Sequence, residues 1–346
     1  MAEAVFSLPY DMLLNVSVVV HFPIKLFSMY IVYRYSPSSM GAMPYFILNM
    51  LAWDFLGNVF RALLHNYPVF PAVCSRAYGP IILVTDNELV YHFLFASTIA
   101  CVVNCAVTSL HACPYRYAVF IFPTHLKRVK RSWAIAFFAV IYTGYTIVTF
   151  VVYWFFTISS EDYDFEKKPA DTRRLFCFQP RGWMGLAVGI CAVLTCFLLI
   201  MGVFVFYWLI KRHLASMAHL YSAQTADLHR KFIRYLLIIT VMCACFEQLP
   251  MIIACLCSAF PEFHYTNELM LLCQILLFNY GTVFSIVSIL IFKPYSQAVR
   301  RIFERLVSRK VSNVTIVVPT QNSIKTTRYS PLFYDGISAM CCLIGD

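Results

Sequence analysis

With 346 residues, 60% of them hydrophobic and only 13% charged, and a mean hydropathy of +0.70, this chain is far more apolar than a water-soluble domain, which carries about 25% charged residues. In water such a composition would expose large apolar patches, so a soluble globular protein is excluded and lipid is the expected solvent. The net charge of +10 does not point to nucleic acid, because the basic residues fall in short linkers between apolar blocks, where cytoplasm and anionic lipid receive them.

In chain order, Met1–Asp11 lacks a basic leader, so no cleaved signal peptide is expected. A helix needs about 20 mostly apolar residues to cross a bilayer, and seven blocks meet that need: Met12–Arg34, Pro44–His65, Asn87–His111, Ser132–Thr157, Trp183–Ile210, Phe232–Ser258 and Glu268–Phe292. Pro23 interrupts the first and Pro250 the sixth, which spans tolerate where neighbouring helices satisfy the freed carbonyl. The linker 158–182 is the longest one expected outside. After the seventh block, Pro294–Lys310 places Val299, Ile302, Phe303, Leu306 and Val307 on one face and its arginines elsewhere, the pattern of an amphipathic helix on the inner leaflet. Residues 1–310 thus read as one membrane domain and 311–346 as a flexible cytoplasmic tail.

Orientation follows from the linkers. With the N-terminus outside, segments 112–131, 211–231 and 293–346 hold 17 Lys and Arg, against 6 in the opposite linkers. Basic residues concentrate on the cytoplasmic side, so the tail is expected inside. The fold class is all-α membrane protein, a seven-helix bundle. No internal duplication is visible, which argues against transporters built from repeated halves. The spans hold no cluster of His, Asp and Glu fit for an intramembrane enzyme, and neither CxxC nor HExxH occurs. No cofactor or metal is expected. Most of the fourteen cysteines lie inside apolar blocks, where a thiol behaves as a small hydrophobe. Cys74 and Cys177 fall in linkers placed outside and are candidates for a disulfide, although connectivity is not readable from sequence.

Four stretches carry a resemblance. They are MPYFILNMLAWDFLGNVF in the second block, YPVFPAVCSRAYGP after it, PYRY after the third block, and IFKPYSQAVRRIF at the end of the seventh. In order and spacing they resemble the nematode serpentine chemoreceptors of the Str superfamily, nearest to the Srh, Sri and Str types, over most of residues 12–305. The chain departs from that pattern at Ser296, where those receptors often carry Arg, and at Pro114. The resemblance implies a seven-transmembrane G-protein-coupled receptor in sensory-neuron membrane, often ciliary, that binds a small odorant or pheromone and activates a heterotrimeric G protein. A transporter or ligand-gated channel is the alternative.

On that reading, three groups of residues are candidates. His92, Phe95, Asn104, Thr195, Phe246, Glu247, Gln248, Gln274 and Phe278 are the polar and aromatic positions available to a mostly apolar ligand pocket. Asp54, with Asn49, Asn58 and Asn279, is a candidate polar core switch, because charge at membrane depth turns to the bundle interior. Arg61, nearer the outer end, is expected to snorkel. Facing the G protein would be Tyr115, Arg116, Tyr117, Lys127, Arg128, Lys211, Arg212, Arg230, Lys231, Lys293, Pro294, Tyr295 and Arg300.

Overall fold

The computed structural model describes residues 2–37, 40–122, 130–163, 172–179, 183–216, 234–235, 237–239 and 241–312. The helices in chain order are α1 (Ala2–Tyr35), α2 (Met43–Leu64), α3 (Glu88–Ile121), α4 (Arg131–Trp154), α5 (Trp183–Ser216), α6 (Leu237–Ala259), α7 (Thr266–Ile291) and α8 (Lys293–Ser312). Among the described residues six of them, α1 to α4, α6 and α7, are long and apolar enough to cross a membrane. The 34-residue α5 adds another long helix, whose stretch Trp183–Ile210 contains no charged residue. α4 shows that lipid replaces water: none of its most apolar window is buried inside the protein, and Trp133, Ile135, Phe137, Val140, Ile147 and Val148 are all exposed.

Local chemistry sets the helix ends. Pro44 stands in the first turn of α2, where a missing N–H costs nothing. The helix ends at His65, which is left-handed (φ 40°) and donates its N–H to the Arg61 carbonyl at 2.9 Å. The Asn87 side chain caps α3 by accepting from the Leu89 N–H at 2.9 Å. Within α3, the hydroxyls of Ser97, Thr98, Thr108 and Ser109 donate to carbonyls four residues back, which removes donors that lipid could not satisfy. Pro250 lacks the N–H its turn requires, and α6 widens into a π turn over Ala244–Gln248 just before it. That wide turn leaves two successive side chains, Glu247 and Gln248, both buried.

One end of the bundle carries a small antiparallel sheet of β1 (Asn66–Pro68), β2 (Cys74–Ala77), β3 (Thr157–Ile158) and β4 (Leu175–Phe178), in the order β1-β2-β4-β3. β2 and β4 pair with Cys74 opposite Cys177, and a disulfide joins them. Phe176 of β4 packs into a cluster with Leu64, Ala77, Tyr91 and Leu94, so the sheet is seated on α2 and α3. The Tyr163 hydroxyl accepts from the Val73 N–H at 3.0 Å, and burial holds that phenol above its ordinary pKa. At the opposite end Tyr295 is fully buried. Its hydroxyl lies 2.7 Å from that of Ser36, and its ring packs edge-on against Phe292.

By internal contact the chain divides into Met1–Arg300 and Arg301–Asp346. The second unit continues α8 as far as Ser312; apart from 311 and 312, the expected tail 311–346 lies outside the described residues.

Because one bond joins Cys74 and Cys177, Cys74→Ala and Cys177→Ala should each lower stability by about 2–5 kcal/mol, and the double variant should lose no more than either single one. Thermal unfolding of the detergent-solubilised protein measures this. Additive losses would mean that the two thiols act separately.

Candidate functional site

The bundle interior holds a cluster of charged residues where α1, α2 and α7 meet. Lys25 of α1 reaches Asp54 of α2, with Nζ 2.5 Å from Oδ2 and side chains 0% and 6% exposed. Neither charge has water to lean on, so each is the other's solvation. α7 closes over the pair with Gly281, where a Cβ would overlap the Asp54 carboxylate. Around this centre Asn58 donates to the Phe278 carbonyl at 3.2 Å and Arg61 donates through Nη1 to the Gln274 carbonyl at 3.2 Å. The Tyr10 hydroxyl donates to the Gln274 side chain, and His21 bonds to the Thr282 hydroxyl.

The candidate polar core is therefore corrected in part. Asp54 and Asn58 stand in it. Asn49 turns away, donating to Thr108 at 2.9 Å, which in turn meets the Tyr142 hydroxyl of α4 at 3.1 Å. Asn279 donates to Ile275 in its own helix at 2.8 Å, and its side chain also bonds to His21, so it stands at the edge of the cluster. Two members were missed. Lys25 is the only charged residue between Met12 and Tyr33, and a lysine at that depth is itself a signal. Arg61 does not snorkel: it is 7% exposed and held inside the bundle.

The ligand candidates do not converge on one pocket. His92 and Phe95 form an aromatic plug beneath the sheet. His92 Nδ1 lies 2.8 Å from the Tyr153 hydroxyl, and Nε2 lies 3.5 Å from Glu88. Both rings pack on Phe176 and Phe178 at centroid distances of 5.3–5.7 Å. Asn104 faces α4, donating to Thr146 at 2.9 Å. Thr195 lies in α5, with its side chain outside the described residues. Gln274 and Phe278 belong to the α7 face that meets Tyr10 and His21. Phe246, Glu247 and Gln248 form the π turn of α6, and Glu247 Oε2 accepts from the Cys243 thiol at 3.0 Å.

Two cavities flank that turn. One, the smaller, lies among α2, α3, α6 and α7 and is lined by Trp53, Asp54, Arg61, Cys101, Glu247 and Tyr280. The other, the larger, lies further from the sheet among α2, α3, α5, α6 and α7, with Met43, Phe46, Val203, Cys243, Gln248 and Phe284 on its walls. α2 contributes to both cavities, whereas the expected pocket residues lie on α3, α5, α6 and α7.

At the far end Tyr115 packs on Phe46 at 5.1 Å and Tyr117 on Phe206 at 5.9 Å. Lys211, Arg212, Lys293, Pro294 and Arg300 are exposed, and Arg212 lies over the Trp208 ring. Tyr295 is the correction here: it is buried against Ser36 and Phe292 and presents nothing to a partner. Arg116 lies within α3, but its side chain is outside the described residues, as are Lys127, Arg128, Arg230 and Lys231. No group of three or more His, Cys, Asp or Glu suited to a metal occurs among the described residues.

Residues 8–305 match the family described as serpentine type 7TM GPCR chemoreceptor Srh. Among curated proteins none matches the chain.

Lys25→Met and Asp54→Leu should each destabilise by about 3–5 kcal/mol, because each strands one buried charge. The double variant should recover most of that loss. A double-mutant cycle on thermal unfolding measures the coupling, and independent losses would show that the pair does not hold the helices together.

Proposed function

The chain belongs to the serpentine Srh chemoreceptor family, a family of seven-transmembrane receptors and not of enzymes, and from that membership we propose that it detects a small odorant or pheromone inside its bundle and activates a heterotrimeric G protein at a sensory-neuron plasma membrane, on the cilium. The family match over residues 8–305 carries the reading. Two features of the molecule support it. The linkers at the end opposite the sheet are the basic ones, 17 Lys and Arg against 6, which assigns that end to the cytoplasm. The larger cavity lies towards that same end, with walls of Met43, Phe46, Val203, Ile239 and Phe284. Apolar walls rimmed by cations suit an amphipathic partner helix in a groove.

The mechanism is a population shift. A bundle with two packings of similar energy moves toward the one its ligand prefers. In the packing that widens the larger cavity, α3, α5, α6 and α7 would part enough to seat the terminal helix of a Gα subunit. Tyr115 and Tyr117 of α3 would then stand at the mouth, with Lys211, Arg212, Lys293, Pro294 and Arg300 at its rim; Arg116, Lys127, Arg128, Arg230 and Lys231 are the further residues proposed to meet the partner.

Nucleotide exchange on Gα subunits, in membranes from cells expressing the full chain and challenged with an odorant panel, tests the reading. Stimulated exchange is expected. Arg116→Ala should cut it about tenfold or more while surface expression stays near wild type, since a charged contact of this kind is worth about 1.5–3 kcal/mol. A C-terminal epitope should stain only after permeabilisation. Ligand-evoked current without exchange, or staining of intact cells, would overturn the reading.

A further inference from the structure

At the end opposite the sheet a tyrosine is sealed inside the bundle. Tyr235, in the helical turn that leads into α6, is 0% exposed and stands on the wall of the larger cavity. Its hydroxyl lies 3.2 Å from that of Ser288, in the last turn of α7. Its ring meets Phe292 edge-on, with centroids 4.3 Å apart. Phe292 packs in turn on Tyr295, whose hydroxyl lies 2.7 Å from that of Ser36. One run of side chains thus ties the approach to α6 to the ends of α7 and α1 and to the first turn of α8.

The fold does not require a hydroxyl at position 235. Phenylalanine would fill the same volume and keep the edge-on contact with Phe292. Ser288 would then bond within its own helix, as Ser285 does by donating to the Gly281 carbonyl at 2.7 Å. Here the Ser288 hydroxyl reaches across to Tyr235 instead. What the bond adds is resistance to one movement, the parting of α6 from α7, because a hydroxyl drawn away at this depth meets lipid and not water. That parting is the movement the larger cavity needs. Tyr235 and Phe284 stand on its wall from the two sides, and a helix seated in it would separate them.

We propose that Tyr235 is a latch: its hydroxyl on Ser288 and its ring on Phe292 hold α6 against α7 and keep the larger cavity closed to the cytoplasm. The inference rests on the receptor reading and names the contact that sets its resting state. The strength of the tie suits the task. A hydrogen bond between helices in a membrane contributes about 0.6–1.7 kcal/mol, enough to bias two packings and small enough for a ligand's preference to overcome. A charge pair such as Lys25–Asp54 would not serve, because parting it strands two buried charges. The bundle therefore carries its strong polar tie between α1 and α2 and a weak one where α6 has to leave.

A native thiol reports the opening. Cys243 is buried and lines the larger cavity, whereas Cys273, 2% exposed, lies on α7 towards the sheet. Inside-out membrane vesicles bearing the full chain are treated with the charged thiol reagent methanethiosulfonate ethyltrimethylammonium, which lipid does not admit, and labelling at each cysteine is followed by peptide mass spectrometry. Tyr235→Phe keeps the ring and should speed labelling of Cys243 about threefold to tenfold, the worth of one interhelical bond, with Cys273 unchanged. Ser288→Ala should do the same, and it carries the test where Tyr235→Phe does not fold. The double variant should go no further than either single one, since all three lack the same bond. Labelling of Cys243 unchanged in both variants, an equal rise at Cys273, or a double variant in which the two rises multiply would overturn the proposal. Basal Gα nucleotide exchange is scored separately on the same membranes. Faster labelling of Cys243 without any exchange sinks the coupling reading and leaves the latch standing, whereas odorant-stimulated exchange with labelling indifferent to both variants sinks the latch alone.

Discussion

A lysine and an aspartate at membrane depth must find each other, and the packing of the first, second and seventh helices follows from that requirement. Neither charge can be solvated by lipid, and neither helix can rotate without exposing one of them. The contact between Lys25 and Asp54 therefore fixes the rotation of α1 against α2 more tightly than apolar packing between lipid-soluble faces does, since lipid tails compete equally well for such faces. The same pair dictates the residue on α7. The carboxylate occupies the volume that a Cβ at position 281 would need, and glycine lets the α7 backbone close over the charges and exclude solvent. Asn58 and Arg61, one and two turns further along α2, reach across to α7 carbonyls, so α2 and α7 are joined along much of their length by polar contacts and not by apolar packing alone.

The two ends of the bundle are built differently. At the sheet end, strands from two linkers are hydrogen-bonded, bridged by Cys74–Cys177 and packed through Phe176 into α2 and α3. The aromatic cluster of His92, Phe95, Tyr153, Phe176 and Phe178 fills the space beneath. At the opposite end the helices enclose the larger, mostly apolar cavity. Interdigitated rings and a cross-linked sheet resist rearrangement, while a void among aliphatic side chains supplies fewer contacts to lose on moving. The interactions that resist rearrangement are therefore concentrated at the sheet end.

Much of the fold is legible in the sequence, because hydropathy and linker charge act over tens of residues. Each expected block except for its ends coincides with a helix, and the amphipathic pattern after Phe292 becomes α8. The ends shift for local reasons: α3 runs on to Ile121 through Pro114 and past His111, because a cytoplasmic extension needs no apolarity to stay helical. The site is less legible. Which polar residue meets which depends on helix rotation, and hydropathy does not report rotation. Asn49 and Asn58 both sit near Asp54 in sequence, yet Asn49 projects toward α3 and Asn58 toward α7. Nine residues separate them, which at 3.6 per turn places them on different faces. Lys25 was within reach of the reading: the rule that singled out Asp54 applies equally to a lone cation in the first span. Arg61 was not, since snorkelling and inward arginines look alike until the bundle is assembled.

The π turn of α6 brings these strands together. A regular helix presents residues four apart to one face, whereas the wide turn over Ala244–Gln248 lets a short segment line both cavities at once. Glu247 lines the polar one, Cys243 and Gln248 line the apolar one, and the Cys243 thiol donates to Glu247 Oε2 at 3.0 Å. Any shift of Glu247 must stretch that bond or carry Cys243 along, and either outcome changes the wall of the larger cavity. Pro250 makes such a movement affordable, because its missing N–H has already broken the backbone ladder at that level. The turn is thus one element whose side chains are shared between the walls of both cavities.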